Sequence, residues 1–143
     1  MDKQTRSVSS VFMQIALALI FIVSGVTIIR YGLRAGDEVV VAFRSTSFLK
    51  GDVTKILCYI YAVIELIAGV FLFIRLFVVM GTGIDTIFMV IISICWIIAI
   101  VFVDFVSKST GIIFNTNPEF IFSWLSRFAI HLLILAAIIR VRY

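Results

Sequence analysis

The sequence predicts an all-α integral membrane protein, a single transmembrane domain over residues 1–143 in which four helices form an up-down-up-down bundle. Hydrophobic residues make up 63% of the chain and its mean hydropathy is +1.23, whereas soluble domains are nearer half apolar. The apolar residues also fall into runs of about 20, the length that a helix needs to cross about 30 Å of hydrocarbon. Because lipid offers the backbone no hydrogen-bond partners, each run is expected to be a helix.

Four such runs define the predicted spans, which cover residues 8–29, 56–80, 84–106 and 120–139. The first run continues for more than about 20 residues with no small-residue cleavage site after it, so we interpret it as a retained helix and not as a signal peptide. A tight turn around Gly81 joins the second and third helices, where Thr82 and Asp85 have the spacing of a helix-capping box. Asn117-Pro118 is expected to stop the element before the fourth helix, and Glu119 favours the N-terminus of that helix.

The first and second helices are joined by a long connection, residues 30–55, which is rich in charged side chains. Its run Glu38–Phe43 is apolar and β-prone but too short to cross a membrane. The run therefore predicts either an interfacial strand or a short amphipathic helix that lies on the bundle. Long connections of this kind are where functional residues tend to concentrate.

The charged and metal-binding residue types argue against several functional classes. The net charge is +4, but the basic residues flank the apolar runs, as lipid headgroups and membrane topology require. No basic patch with interleaved aromatic residues occurs, so nucleic-acid binding is not expected. His131 is the only histidine, so this chain alone builds no multi-histidine metal or haem site, and no metal is predicted. Cys58 and Cys95 lie at different predicted depths and are expected to be separate thiols in apolar surroundings.

Glu65 is the most informative single residue because it is the only charge in the run Ile56–Ile74. A carboxylate in the middle of a spanning helix costs roughly 2.5–3.5 kcal/mol on insertion scales, so it is expected to have partners. We use the term loop face for the side of the bundle that carries the long connection. In an up-down bundle, Glu65 lies roughly 13 Å from the loop face and Arg127 roughly 11 Å from it. The matching depths predict an ion pair between Glu65 and Arg127.

Neighbours at helical spacing extend this pair into a predicted intramembrane polar cluster. His131 lies one turn after Arg127 and Tyr61 one turn before Glu65. Asp104 lies near the loop face on the third helix. The predicted cluster is therefore Glu65, Arg127, His131, Tyr61 and Asp104. Such a cluster either locks the helices in register, as buried ion pairs can, or forms a site for a quinone, a lipid or a proton.

Small residues predict where the first two helices approach each other, because membrane helices pack closely at small side chains. The predicted packing residues are Ser24 and Gly25 on the first helix, and Ala68 and Gly69 on the second. At the opposite end of the bundle, Arg75 and Asp85 flank the tight turn. They are expected to form an exposed surface pair, or Arg75 is expected to reach towards lipid headgroups.

Two of these segments resemble a known family. The first helix contains Ala16-Leu-Ala-Leu-Ile-Phe-Ile-Val-Ser-Gly25, and the second contains Glu65-Leu-Ile-Ala-Gly-Val-Phe-Leu72. Together with the number of spans and the long first connection, they resemble the DoxX-like membrane proteins, although Ala68 stands where that pattern usually has glycine. The resemblance implies a bacterial-type four-helix protein of the inner membrane. Some members are linked to quinol or thiosulfate oxidation and to membrane oxidoreductase complexes.

The predicted function is that of a DoxX-like auxiliary subunit of a membrane complex, with both termini in the cytoplasm. The chain shows no phosphate-binding loop or nucleophile elbow, so no catalytic residue is assigned and enzymatic activity is not expected. The expected partners are the lipid bilayer and either other membrane subunits or further copies of the chain. No cofactor is predicted, and the resemblance leaves a quinone open. Two alternatives stay open: a small accessory subunit of a transporter complex, and a small oligomeric transporter or channel.

Overall fold

The computed structural model describes residues 8–46, 51–78 and 81–142. Helices account for 84% of these residues, and the described part of the chain contains no strand. The elements are α1 (Val8–Tyr31), α2 (Glu38–Ser45), α3 (Asp52–Ile74), α4 (Thr82–Ile100) and α5 (Pro118–Arg142). A 3-10 turn, Gly32–Arg34, follows α1, and a π-helix, Val101–Val106, continues α4. Four of these helices are long and apolar enough to cross a membrane, so the chain is a polytopic membrane protein.

The four long apolar helices overlap the predicted runs, and their ends differ from the predicted bounds by a few residues. The largest difference is at α3, which runs over Asp52–Ile74 where residues 56–80 were predicted. Its earlier start follows Gly51, whose backbone φ of +60° suits a glycine at a helix boundary. The chain turns after Ile74, and residues 79–80 of the predicted span lie outside the described residues.

The apolar run in the long connection forms a helix and not a strand. The Asp37 side chain caps α2 by accepting a hydrogen bond from the Val39 backbone N–H at 2.9 Å. Val39, Val40 and Ala42 are buried against the bundle, whereas Glu38 and Arg44 are exposed, so α2 is amphipathic. The capping-box prediction for Thr82 is wrong, because Gly81 is the N-cap of α4 and no side chain caps it.

The first two spanning helices, α1 and α3, pack along most of their length. Gln14, early in α1, donates a hydrogen bond to the Leu72 carbonyl late in α3, at 2.8 Å. Gly25 and Gly69 bring the two backbones together: a Cβ added at Gly25 would lie 2.8 Å from the Ala62 carbonyl oxygen. Later residues of α1 contact earlier residues of α3, so the two helices are antiparallel. This packing keeps the loop-face half of α1 beside the middle of α3.

A buried ion pair ties three helices at the end opposite the loop face. Arg75 is only 7% exposed, and its Nη2 donates to Asp85 Oδ2 at 2.8 Å. Its Nη1 donates to the Val141 carbonyl, also at 2.8 Å, which connects α3 and α4 to the end of α5. The expectation of an exposed surface pair is therefore wrong, because the end of α5 covers the guanidinium.

Candidate functional site

The first group of polar side chains surrounds Glu65, which is 5% exposed. The Tyr61 hydroxyl, one helical turn earlier, donates to Glu65 Oε1 at 2.6 Å. Ser24 Oγ on α1 lies 2.5 Å from Glu65 Oε2 and 2.7 Å from Asp37 Oδ2. We name this group the carboxyl group cluster, and its members are Glu65, Tyr61, Ser24 and Asp37.

The geometry of the carboxyl group cluster leaves a place for an additional proton. A serine hydroxyl carries one hydrogen, so Ser24 donates to only one of the two carboxyl groups that it contacts. The other contact becomes a hydrogen bond only when that carboxyl group is itself protonated and donates to Ser24 Oγ. Because two carboxylates without such a proton would repel each other in a medium of low dielectric constant, the geometry suits one retained proton.

The second group of polar side chains surrounds Asp104, which is fully buried at 0% exposure. His131 Nδ1 lies 2.6 Å from Asp104 Oδ2, and Arg127 Nε donates to Asp104 Oδ1 at 3.3 Å. The other ring nitrogen of His131, Nε2, lies 3.0 Å from the Glu38 carboxylate. A doubly protonated imidazolium satisfies both contacts with donated hydrogen bonds. We name this group the basic cluster, because α5 contributes its two basic side chains. Its members are Asp104, Arg127, His131 and Glu38.

A local change of helix type places Asp104 in the basic cluster. The π-helix Val101–Val106 is wider than an α-helix, and such turns occur often at functional sites. The Trp124 indole donates to the Asp104 carbonyl at 2.7 Å, so α5 holds the backbone as well as the side chain. Arg127 Nη2 donates to the Thr110 carbonyl at 2.6 Å, which anchors the guanidinium to the connection before α5.

Both clusters face one cavity of about 460 Å³. All four spanning helices and the start of α2 line it. Its polar lining consists of Ser24, Asp37, Glu38, Tyr61, Glu65, Ser123, Ser126, Arg127 and His131, and its apolar lining includes Ile20, Trp96, Ile130 and Ile134. The carboxyl groups of Glu65 and Asp37 therefore lie on the α1 and α3 side of this cavity, and Arg127 and His131 lie on the α5 side together with the Glu38 carboxylate. A separate cavity of about 20 Å³, about the size for one water molecule, lies against Glu65 and Cys95.

The predicted ion pair between Glu65 and Arg127 is wrong. Glu65 bonds to Ser24 and Tyr61, and Arg127 pairs with Asp104, so no ion pair joins the two among the described residues. The depth argument nevertheless brought both side chains to the same cavity. Of the other predicted residues, Tyr61 lies beside Glu65, whereas His131 lies beside Asp104.

Sequence reasoning missed Asp37 and Glu38, which supply one carboxylate to each cluster. A signal was available, because an aspartate directly before an amphipathic run is typical of a helix N-cap. Treating the run as a helix would have placed both acids at its start, on the bundle. Ser24 was assigned to helix packing, and it instead bridges Glu65 and Asp37.

The chemistry of this cavity is that of hydrogen bonding and charge. No group of three or more His, Cys, Asp or Glu side chains with the geometry of a metal site occurs among residues 8–46, 51–78 and 81–142. Cys58 and Cys95 are both free thiols. A ligand that both donates and accepts hydrogen bonds would meet acceptors at Glu65 and Asp37 and a donor at Arg127.

Comparisons with protein-family models, with curated proteins and with solved structures found no match to this chain.

Proposed function

We propose that the protein is a DoxX-like auxiliary subunit of a membrane complex, and that its intramembrane cavity binds the polar head of a membrane-soluble ligand of the quinone or quinol class. The observation that carries the proposal is the cavity of about 460 Å³ between the carboxyl group cluster and the basic cluster. Small-molecule sites in proteins have volumes of about 300–1,000 Å³ and a few convergent polar groups.

The open volume favours ligand binding over a purely structural role for these charges. Protein interiors are close-packed, so residues that only lock helices in register fill the space between them. Arg75 and Asp85 behave in that way, since the guanidinium is enclosed by three helices. Arg127 and His131 instead have a second side that faces the cavity.

The two sides of the cavity suit the two redox forms of a quinone ring. The carbonyl oxygens of a quinone accept hydrogen bonds, which the Arg127 guanidinium can donate because its five N–H groups exceed the contacts it makes to Asp104 and Thr110. The hydroxyl groups of a quinol donate hydrogen bonds, which Glu65 and Asp37 can accept. In this proposal the chain binds and orients the ring, and electron transfer belongs to a partner subunit.

The proposed topology is up-down-up-down, with both termini on the cytoplasmic side of the cell membrane. Opposite chain directions between α1 and α3 support it, and so do the contacts of α4 with α5. Trp96, in the middle of α4, donates to the His131 carbonyl at 3.2 Å, whereas Asp104, beyond its end, contacts the earlier residue Trp124. Labelling of cysteines introduced at Ser9 and Arg140 in intact cells with a membrane-impermeant reagent tests the assignment, which fails if either position reacts from outside.

Quenching of tryptophan fluorescence tests the binding proposal, because Trp96 lines the cavity. Titrating the detergent-solubilised protein with a benzoquinone is expected to give saturable quenching. Glu65→Gln and Arg127→Gln are each expected to weaken quinol or quinone binding roughly 10- to 100-fold, the effect of losing one charge-assisted hydrogen bond. Asp52→Asn, at the exposed start of α3, is the matched control and should bind like the wild type.

Two results contradict the proposed function. One is the absence of saturable binding by the folded wild-type protein. The other is equal affinity in the wild type and in both cavity variants. Purification in a mild detergent tests the subunit role separately: a stoichiometric oxidoreductase partner supports it, whereas transport subunits or a homo-oligomer would favour the alternative classes.

A further inference from the structure

A second concave surface lies beside the head-binding cavity, on the outer side of α1. Its volume is about 570 Å³, and it is lined by Leu19, Val23, Thr27 and Gly36 together with three residues that it shares with the first cavity. The shared residues are Ile20, Ser24 and Asp37. We use the term α1 groove for this second surface and the term rim for the three shared residues.

The α1 groove exists because the connection after α1 folds back over the helix. Asp37 is held to α1 by its contact with Ser24 and caps α2, so the backbone around Gly36 forms one wall of the groove. Leu19 and Val23, which are 54% and 61% exposed, form its floor at helical spacing. Apolar side chains of a membrane helix are ordinarily exposed to lipid. Leu19 and Val23 differ from other such residues because they line a concave surface that borders a polar cavity.

Apolar side chains line two edges of the cavity. One edge is Ile20 on the rim, beside the α1 groove, and the other is formed by Ile130 and Ile134 on α5. The α1 groove continues the first edge over a volume of about 570 Å³, which gives an attached chain a defined path. The rim also places polar and apolar groups side by side, because Ser24 and Asp37 stand next to Ile20.

We propose that the ligand is an amphiphile with a single apolar chain, and that this chain crosses the rim and lies in the α1 groove along Leu19 and Val23. This inference rests on the proposed function, since it assumes that the polar head occupies the cavity. It adds the entry route, which is lateral from the bilayer, and it names Leu19 and Val23 as residues that determine specificity for the chain.

The proposal predicts a steric effect and not an affinity gain from the chain. Lipid tails are as apolar as the groove, so moving an alkyl chain from the bilayer into the groove contributes little free energy. A ligand that carries a chain nevertheless needs room for it. Filling the groove is therefore expected to exclude chain-bearing ligands and to spare chainless ones.

Val23→Trp obstructs the groove beside the rim and tests this prediction. In nanodiscs, binding of a radiolabelled dimethoxybenzoquinone without a chain and of the same ring with a saturated alkyl chain is measured with empty nanodiscs as background, because an introduced tryptophan would itself be quenched. Val23→Trp is expected to weaken binding of the chain-bearing ring roughly tenfold or more, and to change binding of the chainless ring less than about twofold. Val26→Trp, on the same helix and outside both cavities, is the matched control and should affect neither ligand.

Each contrary outcome identifies which idea fails. If the wild type binds neither ring, the proposed function fails. If it binds both and Val23→Trp affects neither or both equally, the head site stands and the groove proposal is overturned. Discrimination by Ile130→Trp in place of Val23→Trp would also overturn it, because the chain would then leave past α5.

A wild-type experiment covers the case in which Val23→Trp does not fold. A chain-bearing benzoquinone with a photoreactive diazirine in the chain is crosslinked to the protein in nanodiscs, and the labelled peptide is identified by mass spectrometry. Labelling within residues 19–27, suppressed by excess unlabelled ligand, supports the proposal. Competable labelling on α5, or labelling that excess ligand does not suppress, overturns it.

Discussion

Replacing Asp104 by asparagine removes the negative charge that Arg127 and His131 share, with almost no change in side-chain volume. Asp104 is fully buried, and it accepts a hydrogen bond from Arg127 Nε at 3.3 Å while its other oxygen lies 2.6 Å from His131 Nδ1. An asparagine presents one oxygen and one NH₂ group, so one of the two cationic partners would face a donor.

The size of the effect follows from what remains around Arg127. Removing one partner of a buried ion pair typically costs about 3–5 kcal/mol of unfolding free energy, because the remaining charge stays buried without compensation. The Arg127 side chain keeps its hydrogen bond to the Thr110 carbonyl at 2.6 Å and is 18% exposed at the cavity. We therefore expect Asp104→Asn to lower the free energy of unfolding by about 3 kcal/mol, the lower end of that range.

A double-mutant cycle separates charge pairing from simple loss of packing. The Asp104→Asn/Arg127→Gln protein lacks both charges, so its loss is expected to be smaller than the sum of the single losses by about 1–3 kcal/mol. The assay is unfolding by sodium dodecyl sulfate in mixed micelles, followed by circular dichroism. Asp52→Asn is the exposed control and should stay within about 0.5 kcal/mol of the wild type. An Asp104→Asn protein as stable as this control, or strictly additive losses, would refute the reasoning.

Three further predictions address other parts of the bundle. Gly25→Ala is expected to lower the free energy of unfolding by about 1–3 kcal/mol in the same assay, because its Cβ would lie 2.8 Å from a carbonyl oxygen of α3. Gly83→Ala is the control and should be neutral, because a Cβ there meets open space. Equal effects of the two substitutions would contradict the packing argument. Arg75→Gln is expected to cost about 3 kcal/mol, because the partly buried Asp85 carboxylate and the Val141 carbonyl would lose the guanidinium between them. Arg140→Gln, at an exposed position, should not change stability, and an Arg75→Gln protein as stable as this control would contradict the reasoning. Infrared spectra of the wild type are expected to contain the carbonyl stretch of a protonated carboxylic acid that Glu65→Gln removes or weakens, and its absence from the wild type would exclude the retained proton.

The presence and approximate positions of the spans could be predicted from the sequence. Lipid leaves the backbone only helical solutions for long apolar runs, so composition and run length are sufficient for that step. Glu65 could also be identified as a residue that needs partners, because a charge in such a run is costly. The small residues Gly25 and Gly69 likewise indicated where α1 and α3 approach each other, and added Cβ atoms there would collide with backbone.

The partners of each charge could not be predicted in the same way. The depth estimate considered spanning helices as straight rods and omitted the long connection, yet Asp37 and Glu38 reach the cavity from it. It also assumed an α-helix through Asp104, whereas the π-helix changes the direction in which that side chain points. A single residue advances an α-helix by about 1.5 Å and about 100°, so a small local change redirects a side chain to another neighbour.

The sequence by itself determined that the chain belongs in a lipid bilayer, how many helices are long enough to span it, and that one of them carries a costly carboxylate. These properties depend on hydrophobicity summed over about 20 residues, and such sums tolerate errors of a few positions. Only the tertiary structure decided that Glu65 bonds to Ser24 and Tyr61, that Asp104 holds Arg127 and His131, and that a cavity separates the two clusters. Hydrogen bonds operate over about 3 Å, so their pairing depends on helix rotation, on the π-helix and on the fold of the connection, none of which hydrophobicity specifies.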